Sequence, residues 1–303
     1  MPSVKKPAVP PTPEPAAHPL YSPRGAKLAT RVWSNHTNGD SPRGICLIVP
    51  GGGWHSGYFE PLAFFLAQKG FVCSSFDPVG MGYSEPEPDA PEGCVHIDKF
   101  DNFVEDLFAA VAWTKEQLQW AADVPFFLIG ESFGGFQVLA AGLAKERAKA
   151  NGVKLAGIIT TGAALKINPA TLPPRPALKI LGFLSRYYPK VKMPAADFSS
   201  TFDEAFGNKE WAKVARRDLG VQVSPRPTMA GAIATVATRE KIAKNAEDFK
   251  LPLLAIHAIQ DCRTTCDAMQ RFVERSGSLA EGFWIEGTTG HQLLQDREEV
   301  TVE

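Results

Sequence analysis

Apolar residues along this chain follow two spacings that take turns, one typical of β-strands and the other of α-helices. Continuous or alternating apolar runs predict strands, whereas apolar residues three and four positions apart predict helices. The runs that predict strands are 28–33, 44–49, 71–76, 126–129, 155–160, 251–257 and 283–285. Helical patterns lie between most of them. This alternation predicts an α/β fold, in which helices cover both faces of a mostly parallel sheet.

A long stretch without a convincing strand separates the fifth run from the sixth. It begins rich in proline and continues with short helical patterns at 177–188, 203–206, 210–218 and 229–243. An insertion at the carboxyl edge of a parallel sheet lies above the place where ligands bind, so we expect a helical cap, or lid. One helical pattern in this stretch carries an apolar stripe of Leu178, Leu181, Leu184 and Tyr188. This stripe either packs within the cap or contacts a membrane surface.

The chain therefore divides into four predicted segments. Residues 1–20 contain seven prolines and few large apolar side chains, which predicts a flexible N-terminal arm. Residues 21–165 form the first part of the predicted α/β core, residues 166–250 form the cap, and residues 251–303 complete the core.

Composition narrows the possible partners. The 303 residues are enough for one large core with an added subdomain. A formal net charge of -1 gives no electrostatic reason to expect a nucleic-acid partner. The sequence has no apolar run long enough to span a bilayer and no signal-peptide centre, so we predict a cytoplasmic protein. Five cysteines without a Cys-x-x-Cys pair favour free thiols over disulfides or a zinc site.

The most specific motif is the pentapeptide at 130–134, Gly-Glu-Ser-Phe-Gly, which directly follows a buried strand. A Gly-x-Ser-x-Gly sequence between a strand and a helix is typical of a nucleophile elbow, a sharp turn that exposes the serine hydroxyl. The sequence therefore predicts Ser132 as a catalytic nucleophile.

A serine nucleophile requires a histidine as base and a carboxylate that orients the histidine, in the chain order serine, acid, histidine. Asp261 and Glu286 both follow strands after the serine, and Asp261 is the better candidate because Glu286 lies very close to the histidine in sequence. His257 lies inside an apolar strand, which favours a structural role. His291, in the loop after the last strand, is the predicted base.

An oxyanion also requires backbone N–H donors. One is expected from Phe133, the residue after the nucleophile, and another from the glycine-rich loop at 50–57. This loop has neither a Gly-Lys-Ser/Thr ending nor a Gly-x-Gly-x-x-Gly pattern that opens a helix, so a nucleotide site is disfavoured.

These motifs, together with Asp-Pro-Val-Gly-Met-Gly-Tyr-Ser at 77–84 and Gly-His at 290–291, resemble the monoacylglycerol lipase group of α/β-hydrolases. This group includes plant lysophospholipase-like and caffeoylshikimate esterase-like enzymes. The resemblance covers about residues 21–297. It implies a cap between the sixth and seventh strands, no cofactor or metal, a triad of Ser132, Asp261 and His291, and Gly52 and Phe133 as oxyanion donors. It also implies a structural role for Asp77.

The expected activity is hydrolysis of carboxylic esters through an acyl-enzyme, with monoacylglycerol as the first substrate candidate. Two alternatives stay open. The chain is a catalytically silent binding protein with a hydrolase fold, or it acts on another acyl bond, in a lysophospholipid, caffeoyl ester, thioester or peptide. Pro50 stands where the family usually has histidine, and it removes one backbone donor from the oxyanion loop.

Overall fold

The computed structural model describes residues 8–14, 16, 18–35, 41–118, 124–150, 153–167, 174–194, 202–277 and 279–295. Their strands, in chain order, are β1 (Leu20–Tyr21), β2 (Lys27–Leu28), β3 (Thr30–Trp33), β4 (Gly44–Val49), β5 (Phe71–Phe76), β6 (Phe126–Glu131), β7 (Leu155–Thr161), β8 (Leu253–Ala258) and β9 (Ala280–Ile285). Their helices are α1 (Glu60–Gln68), α2 (Asp101–Leu118), α3 (Phe133–Leu143), α4 (Lys145–Ala150), α5 (Arg175–Leu184), α6 (Lys209–Arg217), α7 (Met229–Lys244) and α8 (Cys266–Ser276).

Seven strands form the central sheet, in the order β3-β5-β4-β6-β7-β8-β9. Only the β3–β5 pair of this sheet is antiparallel, and all other neighbours are parallel. The carboxyl ends of β6, β7 and β8 therefore lie side by side at one edge. This arrangement confirms the predicted α/β fold with a mostly parallel sheet.

Helices cover both faces of the sheet because its central strands are apolar on both sides. On β4, Ile45, Leu47 and Val49 pack into one core with residues of α2, α3 and α8. The alternate residues Cys46 and Ile48 pack into a second core on the opposite face, with residues of α1 and of the 202–215 segment. The insertion between β7 and β8 thus contributes to the packing of the sheet itself.

Two predicted elements differ from the structure. The strand expected at 28–33 is split, because the Ala29 carbonyl accepts from Asp77 N at 2.9 Å and its N–H donates to Ser84 Oγ at 2.9 Å. Lys27–Leu28 therefore pairs with β1, and the rest of the run pairs with β5. The segment 203–206 was predicted as a helix and is a turn, with Phe202 and Phe206 buried against Trp54.

The helical insertion lies between the strand that ends at Thr161 and the strand that begins at Leu253, as predicted. In chain order these are the fifth and sixth strands of the central sheet, and they are β7 and β8 here because the count includes the short β1–β2 pair. Helix α5 ends at residue 184, earlier than the predicted 188. All five cysteines are free thiols, as expected. Within the described part of the chain, no helix has the length and apolar content needed to cross a bilayer.

Part of the predicted N-terminal arm lies against the core. The Pro11 carbonyl accepts a hydrogen bond from Arg31, and the indole of Trp113 donates to the His18 carbonyl at 2.7 Å. The boundaries of the arm and of the cap, and the flexibility of the arm, stay predictions.

Candidate active site

Ser132 lies in the turn between β6 and α3, in a backbone conformation that side chains disfavour. Its φ of 51° and ψ of -112° make it the one non-glycine residue with positive φ among those described. Hydrogen bonds to neighbouring segments hold it there: Ser132 N donates to the Thr161 carbonyl at 2.8 Å, and Ala164 N donates to the Ser132 carbonyl at 2.8 Å. Strain of this kind persists only where the surroundings fix it, and it is frequent at functional sites.

The glycines around the serine are required by close approach of the backbone. A Cβ atom at Gly134 would lie 2.0 Å from the Val49 carbonyl oxygen, and one at Gly130 would lie 2.5 Å from the Gly134 carbonyl oxygen. Neither oxygen belongs to a side chain that could move aside. The turn therefore packs against the carboxyl end of β4, where the glycine-rich loop begins.

The three predicted triad residues form a continuous chain of hydrogen bonds. His291 Nε2 lies 2.8 Å from Ser132 Oγ, and His291 Nδ1 lies 2.8 Å from Asp261 Oδ2. His291 is 1% exposed, and the Asp261 side chain is fully buried. Because Nδ1 faces a carboxylate, the neutral imidazole carries its proton on Nδ1 and presents the Nε2 lone pair to the serine hydroxyl.

The surroundings of Asp261 keep it ionised. Burial raises its pKa, but the attraction of His291, the hydrogen bond from that ring and the attraction of His257 together hold the pKa below its ordinary value. The carboxylate also accepts from Arg263 N and Thr264 N at Oδ1, at 2.8 and 2.9 Å, and from the Thr264 hydroxyl at Oδ2, at 3.0 Å. An anion held by several donors is a fixed support for the histidine.

The two predicted oxyanion donors lie next to each other. A Cβ atom at Gly52 would be 3.4 Å from Phe133 Cβ, and one at Gly51 would be 3.2 Å from Ser132 Cβ. The loop after β4 therefore runs directly beside the nucleophile. Asp77 supports the end of this loop, because its carboxylate accepts from Ser56 N at 2.7 Å and from Tyr83 N at 3.0 Å.

The insertion contacts the histidine loop directly. The Ala205 carbonyl accepts hydrogen bonds from His291 N at 2.9 Å and from Gln292 N at 2.8 Å. The histidine loop is also tied to the acid loop, since Cys262 N donates to the Thr289 carbonyl at 3.1 Å. The backbone around the predicted base is thus fixed from two sides.

A second group of contacts joins the insertion to the glycine-rich loop. Asp218 Oδ2 accepts from His55 Nε2 at 2.8 Å and from the Tyr58 hydroxyl at 3.0 Å, and Asp218 Oδ1 accepts from Gly220 N at 2.8 Å. His55 Nδ1 accepts from Gly57 N, which assigns the ring proton to Nε2. Gln222 N donates to the Gly53 carbonyl at 2.8 Å.

The structure brings together all five residues predicted for the site: Ser132, Asp261, His291, Gly52 and Phe133. The alternative acid, Glu286, is exposed and has no hydrogen bond to His291 among the described residues. Two supporting residues escaped the sequence analysis. Thr264 follows Asp261 at the spacing of an Asx-type turn, a signal that could have indicated it. Asp218 directly follows the amphipathic helix α6 and carries no such signal.

Comparisons with known proteins place the chain in a family. A family model described as "Serine aminopeptidase, S33" matches residues 40–298. A putative monoglyceride lipase of Schizosaccharomyces pombe is 24% identical over 259 residues, which cover 84% of this chain and 62% of that protein. An uncharacterized abhydrolase domain-containing protein of Dictyostelium discoideum is 27% identical over 256 residues, 84% of this chain and 24% of that protein. The chain therefore spans less than two thirds of the length of these relatives.

Among solved structures, a soluble variant of monoglyceride lipase from Saccharomyces cerevisiae, crystallised with a substrate analog, superposes with a TM-score of 0.75. The superposition covers 99% of this chain and 94% of that one, at 19% sequence identity. At this identity the likeness shows a common fold.

Proposed function

The chain belongs to the serine aminopeptidase S33 family of α/β-hydrolases, and from this membership we propose that it is a serine hydrolase of carboxylic esters. The observation that carries the proposal is the position of His291, 2.8 Å from both Ser132 Oγ and Asp261 Oδ2. A binding protein without catalysis would not require a strained serine next to a buried histidine and carboxylate.

In the proposed mechanism, Ser132 Oγ attacks the ester carbonyl while His291 Nε2 takes the hydroxyl proton. Asp261 stabilises the imidazolium that forms. The Gly52 and Phe133 N–H groups bind the developing oxyanion. His291 then protonates the departing alcohol, and afterwards activates the water that releases the acid from Ser132. The proposed mechanism uses these residues, the ester and one water molecule.

We propose monoacylglycerol as the substrate, because relatives of this chain are named monoglyceride lipases. The exposed apolar side chains on the insertion also favour a lipid over a polar substrate. The family description names a peptidase, so cleavage of a peptide is the alternative to be tested beside thioesters, lysophospholipids and caffeoyl esters.

The test compares the wild-type protein with Ser132→Ala. We expect a fluorophosphonate to label the wild type and not the variant, and we expect the variant to lose ester turnover by about three orders of magnitude or more. Ser185→Ala is the matched control, since Ser185 lies in the insertion and bonds the Gly182 carbonyl. Equal labelling of wild type and Ser132→Ala would refute the nucleophile. A folded wild type that is neither labelled nor active would favour the binding protein.

The cap, proposed at 166–250, also presents an apolar surface to solvent. Ile180, Phe183, Tyr187 and Tyr188 are 62%, 58%, 67% and 60% exposed. These residues lie on α5 and the turn after it. A contiguous apolar surface that includes tyrosines is typical of contact with a membrane interface, and we propose peripheral membrane binding through this part of the cap, in a protein of the cytoplasm.

Vesicle sedimentation tests the membrane proposal separately from catalysis. Ile180→Ser with Phe183→Ser should weaken binding to phosphatidylcholine vesicles and lower hydrolysis of vesicle-bound monoacylglycerol. Hydrolysis of a short, soluble p-nitrophenyl ester should be unchanged. Vesicle binding equal to that of the wild type would refute this role of α5.

A further inference from the structure

His257 lies near the end of β8, and its side chain is 1% exposed. Sequence alone favours a structural role for a histidine inside a buried strand. In the structure, the Nε2 atom lies 3.1 Å from Thr264 Oγ1 and 3.4 Å from Asp261 Oδ2. The Nδ1 atom is buried and has no hydrogen-bond partner among the described residues. The polar contacts of the ring are therefore directed at the acid of the triad and its neighbour.

The groups around the His257 ring indicate which of its two nitrogens carries the proton. Burial lowers the pKa of His257 to about 4, although the attraction of Asp261 opposes the shift, so the imidazole is neutral at pH 7. A proton on Nδ1 would leave a buried N–H group without an acceptor and turn the Nε2 lone pair toward a carboxylate. Buried N–H groups are rarely left unpaired. The proton therefore belongs on Nε2, where it points at Thr264 and Asp261.

The Thr264 hydroxyl has three neighbours and only one hydrogen. Its oxygen lies 3.0 Å from Asp261 Oδ2, 3.2 Å from the Gly162 carbonyl and 3.1 Å from His257 Nε2. Because His257 Nε2 donates a hydrogen bond to Thr264 Oγ1, it uses one lone pair of that oxygen and not its hydrogen. The hydrogen of Thr264 is then directed at Asp261 or at Gly162.

Both of these acceptors are close to His291. Asp261 Oδ2 binds His291 Nδ1, and a Cβ atom at Gly162 would lie 3.3 Å from the same nitrogen. A rotation of the Thr264 hydroxyl would therefore release either the carboxylate oxygen that orients the base or the backbone beneath the ring.

We propose that His257 is a positioning residue, which fixes Asp261 Oδ2 through Thr264 and so holds His291 in line with Ser132. This inference rests on the proposed ester hydrolysis. It predicts a loss in kcat with little change in KM, because His257 is buried behind Asp261 and Thr264 and is only 1% exposed. An error of about 1 Å in the position of a catalytic group can lower the rate roughly a hundredfold.

The experiment compares two variants at this position. His257→Gln carries an amide donor that can occupy the position of Nε2, and His257→Leu removes the donor at similar volume. His96→Leu is the matched control, because His96 is also buried and its Nδ1 lies 2.9 Å from the Thr228 hydroxyl. Each protein is assayed with a soluble p-nitrophenyl ester, by fluorophosphonate labelling and by thermal unfolding.

We expect His257→Leu to lower kcat about 10- to 100-fold with KM within about twofold, and His257→Gln to recover most of the loss. His96→Leu should lower the thermal midpoint to a similar extent and leave kcat unchanged. Should His257→Leu fail to fold, Thr264→Val provides a necessary test, because it removes the hydroxyl through which His257 acts on Asp261, and its kcat must then fall.

Unchanged kcat in His257→Leu, or in Thr264→Val where the leucine variant does not fold, would overturn the inference. So would an equal loss in the glutamine and leucine variants. A wild type without turnover or labelling refutes the proposed function itself, whereas an active wild type with an equally active leucine variant refutes only the role of His257.

Discussion

The contact between Asp218 and the glycine-rich loop leads to a prediction about stability and activity together. The Asp218 side chain is fully buried, and it accepts from His55 Nε2, the Tyr58 hydroxyl and Gly220 N at 2.8, 3.0 and 2.8 Å. Asp218→Asn preserves the shape of the side chain but replaces one acceptor oxygen by an NH2 group. Either Gly220 or the His55 and Tyr58 pair then faces a donor instead of an acceptor.

The expected cost follows from these contacts. A buried donor left without an acceptor costs about 1–3 kcal/mol. His55 donates from Nε2 while its Nδ1 accepts from Gly57 N, so the substitution leaves an unpaired donor and no unpaired charge. We therefore expect Asp218→Asn to lose about 1–3 kcal/mol of the free energy of unfolding, measured by urea denaturation. Because His55 lies three residues after Gly52, we also expect a lower kcat on a soluble ester.

Asp203→Asn provides the matched control for this prediction. Asp203 lies in the same insertion and forms an ion pair with Arg216 at 3.0 Å, but its side chain is 57% exposed. An exposed ion pair contributes about 1 kcal/mol or less. If Asp218→Asn and Asp203→Asn were destabilised equally, or if Asp218→Asn lost less than about 1 kcal/mol, the reasoning about the buried acceptor would be wrong.

Two further predictions concern the elbow and the pH dependence of stability. Gly134→Ala places a methyl group 2.0 Å from the Val49 carbonyl oxygen, so it should destabilise the protein by about 1–3 kcal/mol or more and abolish fluorophosphonate labelling. The control is Gly182→Ala, in a helix with the nearest neighbour of the added methyl group 3.9 Å away, which should be neutral or stabilising. A Gly134→Ala variant that is still labelled would contradict the packing argument. Burial raises the pKa of Asp106 to about 7 although Arg24 opposes the shift, so its folded-state pKa exceeds the unfolded value near 4, and Asp106 contributes stability that is lost as pH rises from about 4 to 7. The lowered pKa of His257, about 4, acts in the opposite direction over this interval. Asp106→Asn removes only the first contribution, so its urea midpoints should rise more with pH than those of the wild type, and an equal slope would refute the assignment.

The central sheet and the proximity of the three proposed triad residues could be predicted from the sequence because each depends on local patterns in a fixed order. A parallel sheet places the ends of successive strands at one edge, so residues that follow β6, β8 and β9 must lie close together whatever connects them. Ser132, Asp261 and His291 each follow one of these strands. The glycines that flank the serine carry a second signal, because only a sharp turn excludes side chains at both positions.

Contacts between distant segments could not be predicted in this way. Asp218 ends an amphipathic helix whose other polar residues face solvent, and nothing in its neighbours distinguishes a buried carboxylate from an exposed one. The residues at 203–206 have a helical spacing, but the packing of Phe202 and Phe206 on Trp54 favours a turn. Ala29 interrupts a strand pattern because Asp77 and Ser84 bond its backbone. In each case a tertiary contact outweighs the local preference.

The insertion has two parts with different relations to the proposed chemistry. The 202–222 segment contacts the site directly, since the Ala205 carbonyl accepts a hydrogen bond from His291 N and the Asp218 carboxylate accepts one from His55 Nε2. Helix α7 is also attached to the core, because Arg239 Nε donates to the Ala164 carbonyl at 2.9 Å, next to the elbow. Helix α5 packs on α7 and exposes Phe183 and Ile180 to solvent.

Movement of the 202–222 segment would therefore disturb the base and the glycine-rich loop together, whereas a shift of α5 on the proposed membrane surface would break neither of these contacts. A lid that opens for substrate is thus more compatible with motion of α5 than with motion of the whole insertion. Catalysis on a soluble ester should then depend on Asp218 and not on Phe183, and catalysis on a membrane-bound ester should depend on both.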